Sequence, residues 1–343
     1  MFRHECRFLT SIILDKNYIK VNIITIPYYI IMFTVVKLGE DTSASDFTCN
    51  YSPYSESSPS ERSDNPFVRR INCWLDTLAL CEQLPIKPPA SVKAKSWDAH
   101  VMYDFIKNRE RRKENEPAIE FLNKDAIDVA LDLLATGKSQ SPLVLNLADD
   151  SWPGGCVAQG SGAQEESLFR RSNYHQTLIS DHTLYPIKDE EAVYSPEVTI
   201  VKSSEEDGWE LYPVDQRPVL AFVACPGLRY PELVDDEDDE PRLKEEDVTR
   251  LKEKIGVILQ IARQYKHDAI VLGALGCGAW RNPPKHVAEI FKSVLDTYEG
   301  MTPYRVIFAI LSTPDDTYIV RQRISGRKST CDIFQHVFTP LKI

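Results

Sequence analysis

Two adjacent carboxylates, Glu165 and Glu166, are the strongest sign of chemistry in this sequence. They follow Gln164 in a stretch of small residues and precede the apolar Leu168 and Phe169. In a partly desolvated cleft the pKa values of such a pair are driven apart, so that one acid keeps its proton near neutral pH. That arrangement suits glycosidic cleavage, in which the departing oxygen needs a proton and an oxocarbenium-like centre needs nearby negative charge. The alternative is a solvated helix start, where the macrodipole favours acidic residues, and the spacing alone does not decide between them.

Two loops that follow predicted strands hold half of the glycines. We call residues 149–163, after a predicted strand ending at Ala148, the first glycine loop, and residues 275–281, after one ending at Ala274, the second glycine loop. Seven of the 14 glycines lie in or beside them: Gly154, Gly155, Gly160, Gly162, Gly273, Gly276 and Gly278. Glycine lets backbone amides approach a ligand closely, and consecutive amides form a concavity that suits a diphosphate. The alternative is that these glycines only make tight turns.

Other catalytic patterns are absent from these motifs. Neither loop matches Gly-x-Gly-x-x-Gly or the P-loop pattern, which disfavours dinucleotide and nucleoside triphosphate chemistry. The Gly160-Ser161-Gly162 stretch does not form the nucleophile elbow of a serine hydrolase. His175 and His182 have no third ligand at a suitable spacing, so we predict no metal site and no cofactor.

The elements around the loops alternate between strands and helices. The predicted strands are Leu143–Ala148, Val198–Lys202, Val219–Cys225, Ala269–Ala274 and Tyr304–Leu311, and the predicted helices are Asp125–Ala135, one carrying Leu251 to Ala262, and one beginning at Asn282. Strands that are apolar throughout are typical of a parallel or mixed sheet that is covered on both faces. We therefore predict a three-layer α/β domain over residues 95–343. In such sheets ligands bind at the carboxyl ends of strands, where both glycine loops lie.

The first 94 residues have a different character. Residues 1–40 contain an uncharged stretch of 16 residues, 21–36, which is shorter than the roughly 20 residues that a bilayer span needs, so membrane association is disfavoured. A start at Met32 instead of Met1 stays open. Residues 41–94 are predicted to be a disordered linker, rich in Ser, Asp and Pro, that ends in a short accessory helix. Residues 96–114 are predicted to be a charged helix, with a solvated face favoured over an anion-binding patch.

Charge and cysteine usage restrict the partners and the compartment. The chain carries 40 Lys+Arg against 51 Asp+Glu, a formal net charge of −11, which disfavours direct DNA binding. Its eight cysteines include no Cys-x-x-Cys pair, which predicts reduced thiols and a cytoplasmic or nuclear protein. The acidic run at 235–240 is interpreted as a solvated insertion and not as a cation site.

Taken together, these motifs resemble the bacterial-type (microbial) poly(ADP-ribose) glycohydrolase family. The resemblance covers roughly residues 95 to 325 and depends on the strand VLNLA, on Pro153-Gly154-Gly155, on the Gln-Glu-Glu triplet followed by Ser167, and on residues 276–282. It implies a macrodomain-like fold and a metal-free hydrolase that cleaves ribose O-glycosidic bonds of poly(ADP-ribose) or of protein-linked ADP-ribose. The alternative in another functional class is a catalytically weak macrodomain that binds ADP-ribose and recruits partners.

The resemblance also implies roles for individual residues. Glu166 would be the general acid and then the base toward water, and Glu165 would hold the neighbouring ribose hydroxyls. The implied substrate contacts are Asn146, Asp149, Gly154, Gly155, Cys156, Gln164, Gly276, Cys277, Gly278, Ala279 and Trp280. Cys156 stands where the family usually has a third glycine, which would cost about 1 to 2 kcal/mol if that position needs a positive φ. Arg170 and Arg171 are expected to pair with Glu165 and not with phosphates.

Overall fold

The computed structural model describes residues 13–15, 18–20, 24–26, 29–31, 36–37, 64–84, 88–96, 118–179, 181–235, 240–297, 303, 305–311 and 329–339. Five short strands lie in the N-terminal region: β1 (Ile13–Asp15), β2 (Tyr18–Lys20), β3 (Ile24–Ile26), β4 (Tyr29–Ile31) and β5 (Val36–Lys37). They pair in the orders β1-β2-β5 and β3-β4. The predicted linker up to residue 63, the charged segment from residue 97 onward and most of the acidic run lie outside the described residues.

A mixed sheet forms the centre of the chain. Its strands are β6 (Val92–Lys95), β7 (Ala118–Leu122), β8 (Pro142–Leu147), β9 (Glu191–Thr199), β10 (Val219–Cys225), β13 (Ala269–Leu272) and β14 (Arg305–Ala309), while β11 (Leu233–Asp235) and β12 (Pro241–Leu243) form a separate hairpin. The strand order is β6-β9-β10-β8-β13-β14-β7. The neighbours from β10 to β7 run parallel, and β9 and β6 add antiparallel pairs. The loops after β8, β10 and β13 therefore meet at one edge.

Helices cover both faces of this sheet. They are α1 (Pro66–Glu82), α2 (Ala126–Ala135), α3 (Gln164–Arg171), α4 (Tyr174–Leu178), α5 (Glu245–Gln264), α6 (Pro284–Thr297) and α7 (Thr330–Phe338), with 3-10 turns at Val157–Gln159 and Val214–Gln216. Successive strand residues point to opposite faces. Accordingly Leu143 and Leu145 of β8 pack with α5, α6 and α7, whereas Val144 packs with α1 to α4. The predicted three-layer α/β architecture is confirmed.

Several boundaries differ from the sequence-based expectations. Strand β9 begins at Glu191, well before the predicted start at Val198, because a strand with partners on both sides tolerates polar residues that break an apolar run. Strand β14 occupies the middle of the predicted Tyr304–Leu311. Strand β6 lies at the predicted domain boundary and pairs with β9, so the sheet includes residues from 92 onward. The domain boundaries themselves remain predictions.

Helix α1 is packed into one of the helical layers. It begins after Asn65, whose Oδ1 accepts a hydrogen bond from the Phe67 backbone N–H at 2.9 Å. Its buried stripe includes Cys73, Trp74 and Thr77, residues whose spacing places them on one helical face. Thr77 Oγ1 donates to the Arg170 backbone oxygen at the end of α3 at 2.5 Å. The accessory helix of the sequence analysis thus contacts the helix that carries both acids.

The described helices do not have the length and hydropathy that a membrane span requires. Within the described part of the chain, every helix is too short or too polar to serve as one.

Candidate active site

The candidate site is built on the carboxyl ends of three neighbouring parallel strands. The first glycine loop follows β8, the second follows β13, and a further segment, residues 226–232, follows β10. We call this last segment the third loop. Helix α3 begins at Gln164, directly after the first glycine loop, and brings both acids to the same edge of the sheet.

Glu165 is buried and fully hydrogen-bonded. Its Oε1 accepts from Gly154 N at 3.0 Å and from Asn146 Nδ2 at 3.2 Å. Its Oε2 accepts from Asp149 N at 2.7 Å. Two of these donors are backbone amides of the first glycine loop. The predicted concavity of amides therefore holds a carboxyl group, and that group is a side chain of the protein itself.

Glu166 is held at one oxygen. Its Oε1 accepts from the Cys156 backbone N–H at 2.9 Å, and its Oε2 makes no hydrogen bond to any described residue. A Cβ built on Gly155 would lie 2.8 Å from Glu166 Oε1 and 3.2 Å from Glu165 Oε2, so these two oxygens are at most about 6 Å apart. Gly155 also has φ +51, a conformation that favours glycine. This glycine is needed because the two carboxyl groups meet over it.

Burial controls the protonation of the pair. It raises the pKa of Glu165 to about 8, the backbone N–H groups of Asp149 and Gly154 oppose this rise, and the charge of Glu166 adds to it. A carboxyl with that pKa keeps its proton at pH 7. Glu165 therefore holds a proton near neutral pH, and the sequence predicts one protonated acid in such a cleft.

Asn146 and Gln164 serve the acids and the backbone in this structure. Asn146 is fully buried, and its Nδ2 donates to Glu165. Gln164 Oε1 accepts from Leu147 N at 2.9 Å, and Gln164 Nε2 donates to the Leu145 backbone oxygen at 2.7 Å. Its amide therefore fixes the start of α3 to the end of β8. Direct contact of either side chain with a ligand stays a prediction.

The backbone at Cys156 is unstrained. Its φ is −99° and its ψ is 32°, so the expected cost of a side chain in a left-handed conformation does not apply. The side chain is exposed, and the backbone N–H donates to Glu166. The sulfur is still partly desolvated, and this desolvation, together with the charges of Glu166 and Asp149, raises the pKa of the Cys156 thiol, so the thiol stays neutral.

The second glycine loop has a different bonding pattern. Its exposed members are Gly278 and Ala279, which are followed by the partly exposed Trp280. The backbone N–H groups of these three residues donate to no described residue. The Cys277 side chain, by contrast, is buried in the core, and burial raises the pKa of its thiol. The Cys277 backbone N–H is also engaged, since it donates to the Ala274 backbone oxygen at 3.0 Å.

The Asn282 side chain forms hydrogen bonds with the backbones of both the second glycine loop and the third loop. Its Nδ2 donates to the Leu228 backbone oxygen at 2.6 Å and to the Gly276 backbone oxygen at 3.0 Å. Gly276 has φ +75, and a Cβ there would lie 2.6 Å from Asn282 Nδ2. This asparagine thereby joins the second loop to the third loop.

The carboxylate of Asp149 is already engaged. Its Oδ1 accepts from the backbone N–H groups of Ser151 at 2.9 Å and Trp152 at 3.0 Å, and its Oδ2 accepts from Arg229 Nη2 at 2.7 Å. The predicted ribose contact of Asp149 remains untested. Arg229 itself was missed, because an arginine in the third loop gives no local signal of contact with residues 80 positions away.

The prediction for Arg170 and Arg171 is wrong. Arg170 Nη1 donates to the Ser161 backbone oxygen at 2.6 Å. Arg171 pairs with Asp125 at 2.6 Å and with Asp128, both at the start of α2. The side chains of Arg170 and Arg171 reach other elements, and the Glu165 oxygens are already occupied by N–H donors. Among the described residues, no group of three or more His, Cys, Asp or Glu side chains could hold a metal ion.

Comparison with known proteins identifies this arrangement. Residues 89–203 match the family model for the catalytic domain of microbial-type PARG. A poly(ADP-ribose) glycohydrolase (PARG) from Thermomonospora curvata is 22% identical with a TM-score of 0.59, over 78% of this chain and 99% of that chain. The Deinococcus radiodurans PARG in complex with ADP-ribose is 23% identical with a TM-score of 0.57, over 76% and 99%. No curated protein matches the chain.

The extent of these matches defines what they show. The solved structures establish the shared fold, and the family model spans the first glycine loop, the Gln-Glu-Glu triplet and β9 but ends before the third loop and the second glycine loop. The region that holds both acids, residues 89–203, is the part of the chain that matches the model of the microbial-type PARG catalytic domain.

Proposed function

We propose that this protein is a hydrolase that cleaves ribose O-glycosidic bonds of poly(ADP-ribose), or of ADP-ribose linked to proteins, by carboxylate general acid–base catalysis. One observation carries the assignment of the catalytic acid. Glu166 is fixed by the Cys156 backbone N–H at one oxygen, and its other oxygen has no described partner. Both oxygens of Glu165 are occupied. Glu166 can therefore exchange a proton with a substrate.

In the proposed reaction Glu166 acts first as a general acid and then as a general base. Glu166 Oε2–H donates to the oxygen that links the ribose to its leaving group while the ribose C1–O bond breaks and its electron pair stays on that oxygen. The Glu166 carboxylate that results stabilises the positive charge on the ribose ring. A water then adds to C1 and gives its proton to Glu166, which restores the pair. Burial raises the pKa of the neighbouring Glu165 to about 8, so a proton is held beside Glu166 at neutral pH.

The diphosphate of the substrate is assigned to the second glycine loop. Its three N–H groups at residues 278–280 have no described acceptor, and amides of this kind form anion sites. The first glycine loop supports the acids through Gly154 and Cys156, and Gly155 leaves room for them. This division supports Gly276 to Trp280 as the phosphate-binding segment, without a metal or cofactor.

Other features support a location and a set of partners. The six described cysteines are all free thiols, as expected in a reducing compartment, so we expect a cytoplasmic or nuclear protein. The partner is poly(ADP-ribose) or a modified protein, and the net charge of −11 argues against direct binding of DNA.

Purified protein incubated with labelled poly(ADP-ribose), and in parallel with a mono-ADP-ribosylated protein, tests the proposal. We expect release of ADP-ribose from at least one substrate. The variant Glu166→Gln should lower the rate about a thousandfold, the middle of the range for loss of a general acid, while calorimetry still detects ADP-ribose binding. The matched control is Glu253→Gln on the exposed face of α5, which should retain the wild-type rate.

Two results would contradict the proposal. Tight binding of ADP-ribose without release from either substrate would identify a reader domain. Full activity of Glu166→Gln would show that the proton comes from another group.

A further inference from the structure

Arg229 connects the two glycine loops. It lies in the third loop, and its guanidinium carbon sits 4.6 Å from the centre of the Trp280 ring in the second loop. Its Nη2 donates to Asp149 Oδ2 and to Asp150 Oδ1, each at 2.7 Å, and its Nε donates to Asp150 Oδ2 at 3.1 Å. A single cation therefore touches the loop that holds the acids and the loop that has free amides.

The third loop holds this arginine in a defined position. A Cβ on Gly227 would lie 2.5 Å from the Cα of Gly276, so the backbones of the third loop and the second glycine loop are in direct contact. Leu228 directly precedes Arg229, and its backbone oxygen accepts a hydrogen bond from the Asn282 side chain. The backbone contacts of the third loop therefore fix the position of residue 229, and the ion pairs with Asp149 and Asp150 orient its guanidinium.

The guanidinium is not fully used by the protein. The Arg229 side chain is 43% exposed, and its Nη1 makes no hydrogen bond to any described residue. Trp280, whose ring the guanidinium contacts, is the last of the three residues 278–280 whose backbone N–H groups donate to no described residue. An anion bound by those amides would meet the exposed side of the arginine, because guanidinium groups bind phosphate oxygens well.

The charges around Arg229 argue for the same role. Hydrogen bonds from Arg229 and Ser151 lower the pKa of Asp150 in spite of its partial burial, so Asp150 is ionised at neutral pH. One cation and two carboxylates give this cluster a net charge of −1. Without the arginine, an incoming diphosphate would meet two unpaired carboxylates. Arg229 therefore decides whether the surface near residues 278–280 repels or attracts an anion.

We propose that Arg229 is a diphosphate-recognition residue of this enzyme and that Asp150 restrains it. The inference rests on the proposed function, since it assumes that the ligand is an ADP-ribose unit. It adds a side chain that lies outside the family-model match. It also makes opposite predictions for the two partners of one ion pair: removing the arginine weakens binding, and neutralising Asp150 strengthens binding.

The test is calorimetric titration of ADP-ribose into the full chain and four variants. We expect the Kd to rise about tenfold for Arg229→Gln and less for Arg229→Lys, which keeps the charge but loses the planar contact with Trp280. Asp150→Asn should lower the Kd by about twofold or more, because the charge of the cluster changes from −1 to 0. The control Arg305→Gln removes a half-buried arginine that pairs with Glu120 at the amino end of β14, away from the site, and should bind as wild type.

A second readout separates recognition from a structural role. If Arg229 meets the diphosphate, KM should rise more than kcat falls, and the Kd of Arg229→Gln should depend less on salt than that of wild type. Weaker binding in both Arg229→Gln and Asp150→Asn would overturn the inference, because it is what breaking a structural ion pair predicts. An Arg229→Gln Kd within twofold of the Arg305→Gln value would also overturn the inference.

Should Arg229→Gln fail to fold, the other two variants test the inference. It requires the Kd to rise for Arg229→Lys and to fall for Asp150→Asn, and any other pair of changes would overturn it. Failure of wild type to bind or release ADP-ribose would instead refute the proposed function.

Discussion

The two glycine loops are both rich in glycine but use their backbone amides in opposite ways. In the first, backbone amides donate to the side-chain oxygens of Glu165 and Glu166, so the acceptors that fill the concavity belong to the protein. In the second, the amides of residues 278–280 have no described acceptor. The first loop thus positions the chemistry, and the second is open to a ligand.

This difference shows that glycine content alone does not identify a ligand site. What decides is whether an acceptor from the chain itself already occupies the amides. Helix α3 supplies that acceptor for the first loop, because it begins directly after it with two acids in its first turn. The second loop is followed by Asn282 and by α6, whose first turn carries no acidic residue. Substitutions in the first loop should therefore change kcat, and substitutions in the second should change KM.

The largest effect is expected for Gly155→Ala. The new Cβ would lie 2.8 Å from Glu166 Oε1, at a residue with φ +51, so the acid must move. Since misplacing a catalytic group by about 1 Å can cost about a hundredfold, kcat should fall by about that factor. Steady-state kinetics with labelled polymer measure it.

The matched control is Gly137→Ala. That glycine also has a positive φ of +66 but lies after α2 with open space around its Cβ direction. The control should lose about 1 kcal/mol of stability and keep its kcat. Equal kcat values for the two variants would show that Gly155 does not support the acid.

The next effect is the pH dependence of kcat. Burial raises the pKa of Glu165 to about 8, so the pair holds its proton below that pH and loses it above. If the protonated pair is the active form, kcat should fall about tenfold per pH unit above pH 8. A pH profile of kcat checks this, and a kcat that stays level up to pH 10 would contradict it.

Stability should respond with the same sign. The unfolded carboxyl has an ordinary pKa near 4.5, so between that value and about 8 the folded state binds more protons than the unfolded state. The free energy of unfolding should therefore decrease as the pH rises from about 5 to 8, by an amount set by this one group. Denaturant titrations of wild type and Glu165→Gln at both pH values isolate the contribution.

A smaller effect is expected in the second loop. In Gly276→Ala the Cβ would lie 2.6 Å from Asn282 Nδ2, at φ +75, so the joint between the second and third loops must shift. We expect KM to rise about fivefold to tenfold with kcat changed less, because the acids are attached to the other loop. A fall in kcat with constant KM would remove the distinction between the loops.

The sequence predicted the parts of this site that depend on local pattern. The apolar strand before Ala148 and the glycines after it placed the first loop at a strand end, and the Gln-Glu-Glu triplet located the acids. It did not predict which amides face which anion, since that depends on how α3 turns back over β8. It also missed long-range pairs: Arg171 with Asp125 spans 46 positions, and Arg229 with Asp149 spans 80. Such pairs form when separate strands bring their loops together, and no local pattern records them.

The smallest effect concerns Cys156, which stands where the resemblance leads us to expect a third glycine. Its φ of −99° is available to any residue, and its functional group toward Glu166 is the backbone N–H, which glycine also has. Cys156→Gly should therefore change kcat by less than about threefold, with a loss of at most about 1 kcal/mol of stability from the freer backbone. Kinetics and thermal unfolding of the variant measure both. A gain of tenfold or more in kcat would mean that the thiol obstructs the substrate, and the departure at this position would then limit turnover through the side chain and not through the backbone.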